Sequence, residues 1–344
     1  MAAPQTQKEW QIGCFEQTVY GTAAAEAAAA EIVAVSDVTF PEQGVNFREV
    51  MGNSGARYPD TADISVDQYG LLTEFTIAGN VKKACIDKIL YAYFQDVVEG
   101  ETPLFLKTFT MEATQPDFAA DAGYFCTWWL KSPVASTSLK VVDVICKALT
   151  LTCDPGGVLT YSATMIGRGA LTTNSNPTGT WTSVTNTTFN YHKTDLMTAN
   201  IAGGGANTMP LSGGWKLDFQ QDVSGYGDDG AGEFDAVVID NRRITFTSNV
   251  RYDTVAQALQ TALAAGSYVD VIIGWDGDGD GDVALDADGD FHLAFQMIQD
   301  KGQLQNSVPI GNQIGGLICG TSATSKAPIT VSLVTGGDRT WPAT

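Results

Sequence analysis

The sequence lacks the constellations that most enzymes are recognised by. It holds two histidines, His192 and His292, in unrelated contexts, so there is no HExxH pair and no His-Cys spacing for zinc. A GxSxG elbow and a Walker loop are missing, and no phosphate-binding helix follows Gly277, Gly279 and Gly281. The acid pair Asp228-Asp229 has no evident second carboxylate opposite it, as glycoside hydrolysis requires. Basic residues are scarce: 19 Lys and Arg stand against 39 Asp and Glu, a formal charge of −20. Capture of nucleic acid or of an anionic membrane needs Lys and Arg to neutralise phosphates, and this balance excludes both. The deficit is spread, with 21 acids and 12 bases in residues 1–200 and 18 acids and 7 bases in residues 201–344. The cysteines Cys14, Cys85, Cys126, Cys146, Cys153 and Cys319 contain no CxxC pair and sit in apolar runs such as Val144-Ile145-Cys146, so buried free thiols are expected. No stretch approaches the roughly 18 apolar residues that span a bilayer, and Met1–Glu16 is polar and interrupted; a soluble protein made in the cytoplasm is expected.

What is present is strand chemistry. The 344 residues suffice for one large β domain or two ordinary ones without help from disulfides or metals. Segments rich in Thr, Val and aromatics recur between Gly, Asp and Asn clusters. An Ala-rich run, Thr22–Glu31, precedes a strand-like Ile32–Phe40, and Glu49–Asp60 has the composition of a long exposed hairpin tip. A strand pair is expected from Asp63 through Ile77. Cys85, Ile86, Ile89, Leu90, Tyr93, Phe94 and Val97 then fall on one helical face, ended by Gly100. Leu104–Glu112 and Tyr124–Leu130 read as a widely connected hairpin. Val141–Cys153 and Val158–Ile166 read as another, joined by Asp154-Pro155-Gly156-Gly157, where Pro presets φ and Gly supplies positive φ. Between Gly167 and Pro210 the composition shifts to Thr, Asn, Ser and Gly, as in an interdomain connection.

The second part echoes the first. Ile244-Thr245-Phe246-Thr247-Ser248-Asn249-Val250 leads into an apolar-faced helix with Val255, Ala256, Leu259 and Leu263. In the same way Phe75-Thr76-Ile77-Ala78-Gly79-Asn80-Val81 leads into the Cys85–Val97 helix. A hairpin of Tyr268–Trp275 with Phe291–Gln299 follows, then strands near Gln313–Cys319 and Pro328–Val334, with Trp215–Phe219 just ahead of the echo.

The loop Asn53–Pro59, the segments Phe75–Val98 and Thr108–Pro133, and above all Val141–Thr152 followed by Leu159–Gly167 resemble the tail tube (major tail) proteins of long-tailed, siphovirus-like phages. The resemblance implies a mainly β fold of two tandem tail-tube-like β-sandwich or barrel domains, each with a flanking α-helix. The expected division is an N-terminal arm over residues 1–31, a first domain over 32–170, a linker over 171–210, a second domain over 211–335 and a C-terminal tail over 336–344. It also implies a virion structural subunit, assembled in the host cytoplasm, whose acidic stacked rings pass DNA without specific binding. The partners implied are other copies of the chain, in hexameric or trimeric pseudo-hexameric rings, with a tape measure protein and a tail terminator. Met51, Gly52, Asn53, Ser54, Gly55, Arg57 and Tyr58 become the candidate inter-ring loop.

One local motif points elsewhere. Residues 276–290 carry seven aspartates and begin like a calcium loop, with Asp276, Asp278, Asp280 and Asp282 at alternate positions and Gly281 at the sharp turn. Ala287 stands where the bidentate acid belongs, leaving Asp286 or Asp288, and the flanks read as strands. The loop is either a Ca²⁺ site or an acidic hairpin tip kept in solvent by its own repulsion. Trp128-Trp129, adjacent on a strand, should face opposite ways, one into the core and one over an interface. Two other readings compete: a different virion tail component, such as a terminator or baseplate ring protein, and a calcium-dependent carbohydrate-binding or adhesin module.

Overall fold

The computed structural model describes residues 10–17, 20–24, 31–33, 35–41, 46–49, 64–67, 72–83, 85–100, 105–111, 125–134, 137–174, 177, 181, 194–201, 206–208, 214–226, 236–277, 280–305, 311–319 and 328–335. Strands dominate. In the first part of the chain they are β1 (Gln11–Glu16), β2 (Glu31–Val33), β3 (Asp37–Thr39), β4 (Asn46–Glu49), β5 (Ile64–Asp67) and β6 (Leu72–Asn80). After α1 (Ile86–Phe94) come β7 (Gln95–Glu99), β8 (Phe105–Met111), β9 (Cys126–Lys131), β10 (Ser138–Cys153) and β11 (Leu159–Asn174). The second part holds β12 (Leu196–Ile201), β13 (Ala206–Thr208), β14 (Trp215–Tyr226) and β15 (Ala236–Arg251), then α2 (Thr254–Ala265). It ends with β16 (Tyr268–Trp275), β17 (Phe291–Gln305), β18 (Gly311–Ile318) and β19 (Ile329–Thr335).

The period-two burial of these strands explains why they are strands. In β6 Thr73, Phe75, Ile77 and Gly79 turn inward while Glu74 and Asn80 stay exposed; in β16 Val269, Val271 and Ile273 are buried between exposed Tyr268, Asp270 and Ile272. The pairings are antiparallel. In the first part neighbours run β2, β1, β9, β10, β11, β6, β3. In the second, β13 pairs β12, β12 pairs β16 and β16 pairs β17. β17 then pairs β18, β18 pairs β15 and β15 pairs β14. Two ladders cross between the parts: β10 takes β14, and β8, which also pairs β7, takes β19. One hydrophobic core therefore runs through both, from Phe75 and Trp128 to Trp275 and Leu333.

The expected hairpins β10–β11 and β16–β17 are present in the expected segments. The first turns tightly, with Gly156 at φ 69 and the Gly157 N–H donating to the Asp154 carbonyl at 2.9 Å. Among the described residues, two other expected pairs are replaced by different pairings. β5 pairs β4 rather than β6, and β8 pairs β7 and β19 while β9 pairs β1 and β10. Alternation identifies a strand, but its partner is chosen by the packing of residues far away in the chain. The first helix is also shorter than expected. Gln95 adopts the left-handed conformation, its N–H caps the Tyr91 carbonyl, and the β-branched Val97 and Val98 join the ladder to β8. By contrast α2 is conventionally capped: the Asp253 carboxylate accepts from the N–H groups of Val255 and Ala256 at 3.0 and 3.1 Å, and Gly266 closes it at φ 64. Within the expected linker, β11 runs on to Asn174 and β12 and β13 are strands.

A buried polar knot fixes the N-terminal segment. Asp143 lies in an irregular stretch of β10 with φ 53, a conformation Asp tolerates better than most residues. Its carboxylate accepts from Gln17 Nε2 at 2.6 Å and the Gly21 N–H at 2.9 Å, and Arg168 Nε lies 3.2 Å away. Gln17 Oε1 accepts from the Asp143 N–H and from Thr127 Oγ1, and the Arg168 guanidinium covers the Tyr20 ring. Of the segment expected to be an arm, Gln11–Glu16 is thus a strand on β9, with Ile12, Cys14 and Phe15 buried. Asp143→Ala should cost about 3–5 kcal/mol in denaturant unfolding, because it strands Arg168 and Gln17 without their anion, and should speed proteolysis ahead of Tyr20.

Candidate assembly surfaces

The ladder between the two parts is closely built. Cross-strand pairs run from Ala148 opposite Gln220 to Cys153 opposite Trp215. Leu149, Leu151, Leu217 and Phe219 are fully buried, and Thr150 Oγ1 donates to Asp218 Oδ1 at 2.7 Å. Helix α1 lies over this seam. Tyr93 and Phe94 meet the Phe219 ring edge-on at 5.2 and 5.7 Å, and the Tyr93 hydroxyl donates to the Gln220 carbonyl. Arg242 of β15 donates to Gln221 Oε1 and to Gln95 Oε1 at the end of the helix. Every residue of α1 is buried, including Asp87 and Lys88, which pair at 3.2 Å, while Lys107 lies 3.7 Å from Asp87. Helix α2 has the opposite character, burying only Ala256, Leu259 and Ala262.

Other surfaces follow from the strands that extend past their partners. β17 pairs β16 over Tyr268–Trp275; among the described residues, Lys301–Gln305 pairs β18 alone, and Leu304 is 51 % exposed. Beyond Gln221, β14 and the start of β15 continue as a two-stranded ribbon. Val223, Val237 and Ile239 seat it on Phe125, Ile145 and Ile166, while Tyr226 near its tip is exposed. Trp128 and Trp129 do face opposite ways: Trp128 fills the main core, and Trp129 packs with Phe15 and Trp181 in a separate cluster under Lys140. Met51, Gly52, Asn53, Ser54, Gly55, Arg57 and Tyr58 lie outside the described residues, as do Asp278 and His192.

The Asp-rich loop joins β16 to β17, and the structure sorts its acids. Carboxylate oxygens of Asp280, Asp282 and Asp286 lie within 4.8 Å of one another, all three residues exposed; among the described residues these are the ones that could hold a divalent cation. Asp288 is engaged by Lys83 at 2.8 Å, and Asp276 accepts from the Gly281 N–H. Asp290, buried, accepts from the N–H groups of Gly277, Asp286 and Ala287, a role that spacing alone did not single out. Desolvation and the charges of Asp282, Asp280 and Asp290 push the Asp286 carboxyl above its ordinary range. None of the six cysteines lies in a disulfide, and burial raises the thiols of Cys146, Cys153 and Cys319, which favours their protonated form.

A family model for phage tail tube proteins matches residues 8–314, nearly the whole of this ladder. The chain belongs to the phage tail tube family. No curated protein matches it. As a tail tube protein it is a structural component of the virion tail that assembles with itself into a tube, and its family is not one of enzymes. Among the described residues of this tail tube protein, no helix is long and apolar enough to cross a membrane.

His292 reports on the Asp-rich loop. Its Nε2 bonds the Val283 carbonyl, and burial lowers its pKa against the opposing pull of that carbonyl and of Asp290. A histidine whose folded pKa is depressed contributes fully at pH above its unfolded value and loses that contribution as pH falls through it. Melting scans should therefore show the wild type losing Tm on acidification through the ordinary histidine range, and His292→Gln losing less over the same window.

Proposed function

We propose that the chain is the ring-forming subunit of the tail tube, and that its stacked rings form the conduit through which DNA is ejected. Three copies, each contributing two β units, close a pseudo-sixfold ring. The observation that carries this is the ladder itself: both parts of one chain are joined edge to edge through β10 and β14, so the same kind of joint can join chain to chain. The charge of −20 suits a lumen that must release DNA, since each added base would create a phosphate contact to break. In this reading residues 51–58 stack ring on ring, Met1–Glu31 outside the Gln11–Glu16 strand and Gly337–Thr344 reach between rings, and a tape measure protein and a tail terminator are partners. Assembly takes place in the host cytoplasm, and the chain performs no catalytic step.

Negative-stain microscopy and light scattering over a concentration series should show rings or tubes of one diameter, and the protein should be among the most abundant in the virion. A strict monomer under all conditions would overturn the reading. A few copies per particle would favour a terminator or baseplate role instead.

For the Asp-rich loop we propose a solvated acidic tip rather than a resident ion. Asp280, Asp282 and Asp286 are exposed, while Asp276, Asp288 and Asp290 are spent on the loop's own amides and on Lys83. Calorimetric titration with Ca²⁺ after chelation should give neither heat nor a change in melting; saturable heat with stabilisation would establish a calcium site.

A further inference from the structure

The sheet that joins the two parts has one side in the core and one side bare. From β6 through β11, β10 and β14 to β15 its ladder is unbroken, and alternate residues point to opposite sides. Leu149, Leu151, Leu217 and Phe246 enter the core. The residues between them are mostly short hydroxyls. Thr152 stands opposite Thr160 on β11 and Lys216 on β14, and Thr150 stands opposite Ser162 and Asp218 in the next row. Thr247 and Thr245 carry the same two rows onto β15. Thr160, Ser162 and Lys216 are exposed and the other threonines half-buried. Toward Ile145 and Ile166 the β14–β15 ribbon covers this side, which bounds the bare part.

The charge on this face is close to balanced, although the chain as a whole carries −20. Lys216 pairs Asp218 at 2.8 Å, and at the border Lys147 pairs Glu74 at 2.8 Å; Arg243, opposite Gln220, adds a single base. The exposed acids Asp280, Asp282 and Asp286 sit in the β16–β17 loop, off these five strands. We propose that the hydroxyl face is the inner wall of the tube, the surface past which DNA moves.

The distribution of mass supports this placement. α1 presses Tyr93 and Phe94 onto Phe219 from the core side, and Ala256, Leu259 and Ala262 of α2 join the same core, as do Phe109 of β8 and Val331 of β19. A ring has more room at its outer circumference than at its inner one, so the thick side goes out and the bare single layer goes in. The chemistry fits a polyanion that must pass without being held. The hydroxyls are engaged locally: Thr150 Oγ1 donates to Asp218 at 2.7 Å and Thr160 Oγ1 to the Thr152 carbonyl at 3.1 Å. Lys216 and Lys147 would each have to leave a carboxylate before meeting a phosphate. Such a wall offers few fixed contacts by being satisfied within itself, without needing an excess of acid.

The inference deepens the ring reading above and rests on it, and its test separates the two. Ser162→Cys, Thr160→Cys and, on the exposed side of α2, Gln257→Cys are made singly in a Cys319→Ser background, the other five cysteines being buried. Free subunits and assembled tubes are treated with a small maleimide and with a maleimide joined to a polymer too bulky to enter a tube. In tubes, Ser162→Cys and Thr160→Cys should still react with the small reagent but at least tenfold more slowly with the bulky one than in free subunits. Gln257→Cys should react with both reagents in either state. Tubes in which the two sheet positions keep their free-subunit rate with the bulky reagent place the face outside and overturn the assignment. Loss of reaction with both reagents places it in a contact between subunits and overturns it too. Either result leaves the ring reading standing, whereas failure of the unmodified protein to assemble removes both.

Discussion

Much of this fold depends on the place where β10 changes partner. A strand in a continuous ladder has two edges, and β10 divides one of them, giving its first half to β9 and its second to β14. Beside that division β10 has a break in its pleat. The irregular stretch around Asp143 supplies it, with left-handed backbone at that residue. The strain and the buried charge are both offset locally, because the same carboxylate gathers Gln17, Gly21 and Arg168. One side chain thus ties the kink, the entry of the chain and the joint between its two parts.

Chemistry that other proteins use for reactivity is here turned to packing. Five of the six cysteines are small buried residues, and the paired charges of Asp87 and Lys88 on α1 and Lys107 on β8 are closed off from solvent. Such a cluster adds little net stability compared with apolar packing, but losing any member is costly, so it favours one arrangement over its alternatives. Among the described residues, the surface includes the acids of the loop between β16 and β17 and strand ends such as Lys301–Gln305. That composition suits a protein whose family assembles with its own kind into a tube.

The sequence disclosed strands, turns and repetition better than it disclosed partners. The Asp154–Gly157 turn and the alternation of β10, β11, β16 and β17 are local properties, and the structure has them where expected. So are the matched segments ending in Asn80-Val81 and Asn249-Val250. The association of β8 with β19, or of Gln17 with Asp143 across 126 positions, has no local trace, since nothing in a strand's own alternation names the edge it will meet. The Asp-rich loop shows the same limit. Spacing found the acids, but not that Asp290 would be buried as the keystone of the turn while Asp288 went to Lys83.

The crossing between β8 and β19 also governs when the molecule can finish folding. Phe109 meets Val331, so an early hairpin waits for a strand synthesised more than two hundred residues later. Ladders of such high contact order form slowly, and this one cannot close until both of its distant strands are in place. Closure is therefore a late event, and the edge of β8 that β19 fills stays open until the last described strand arrives.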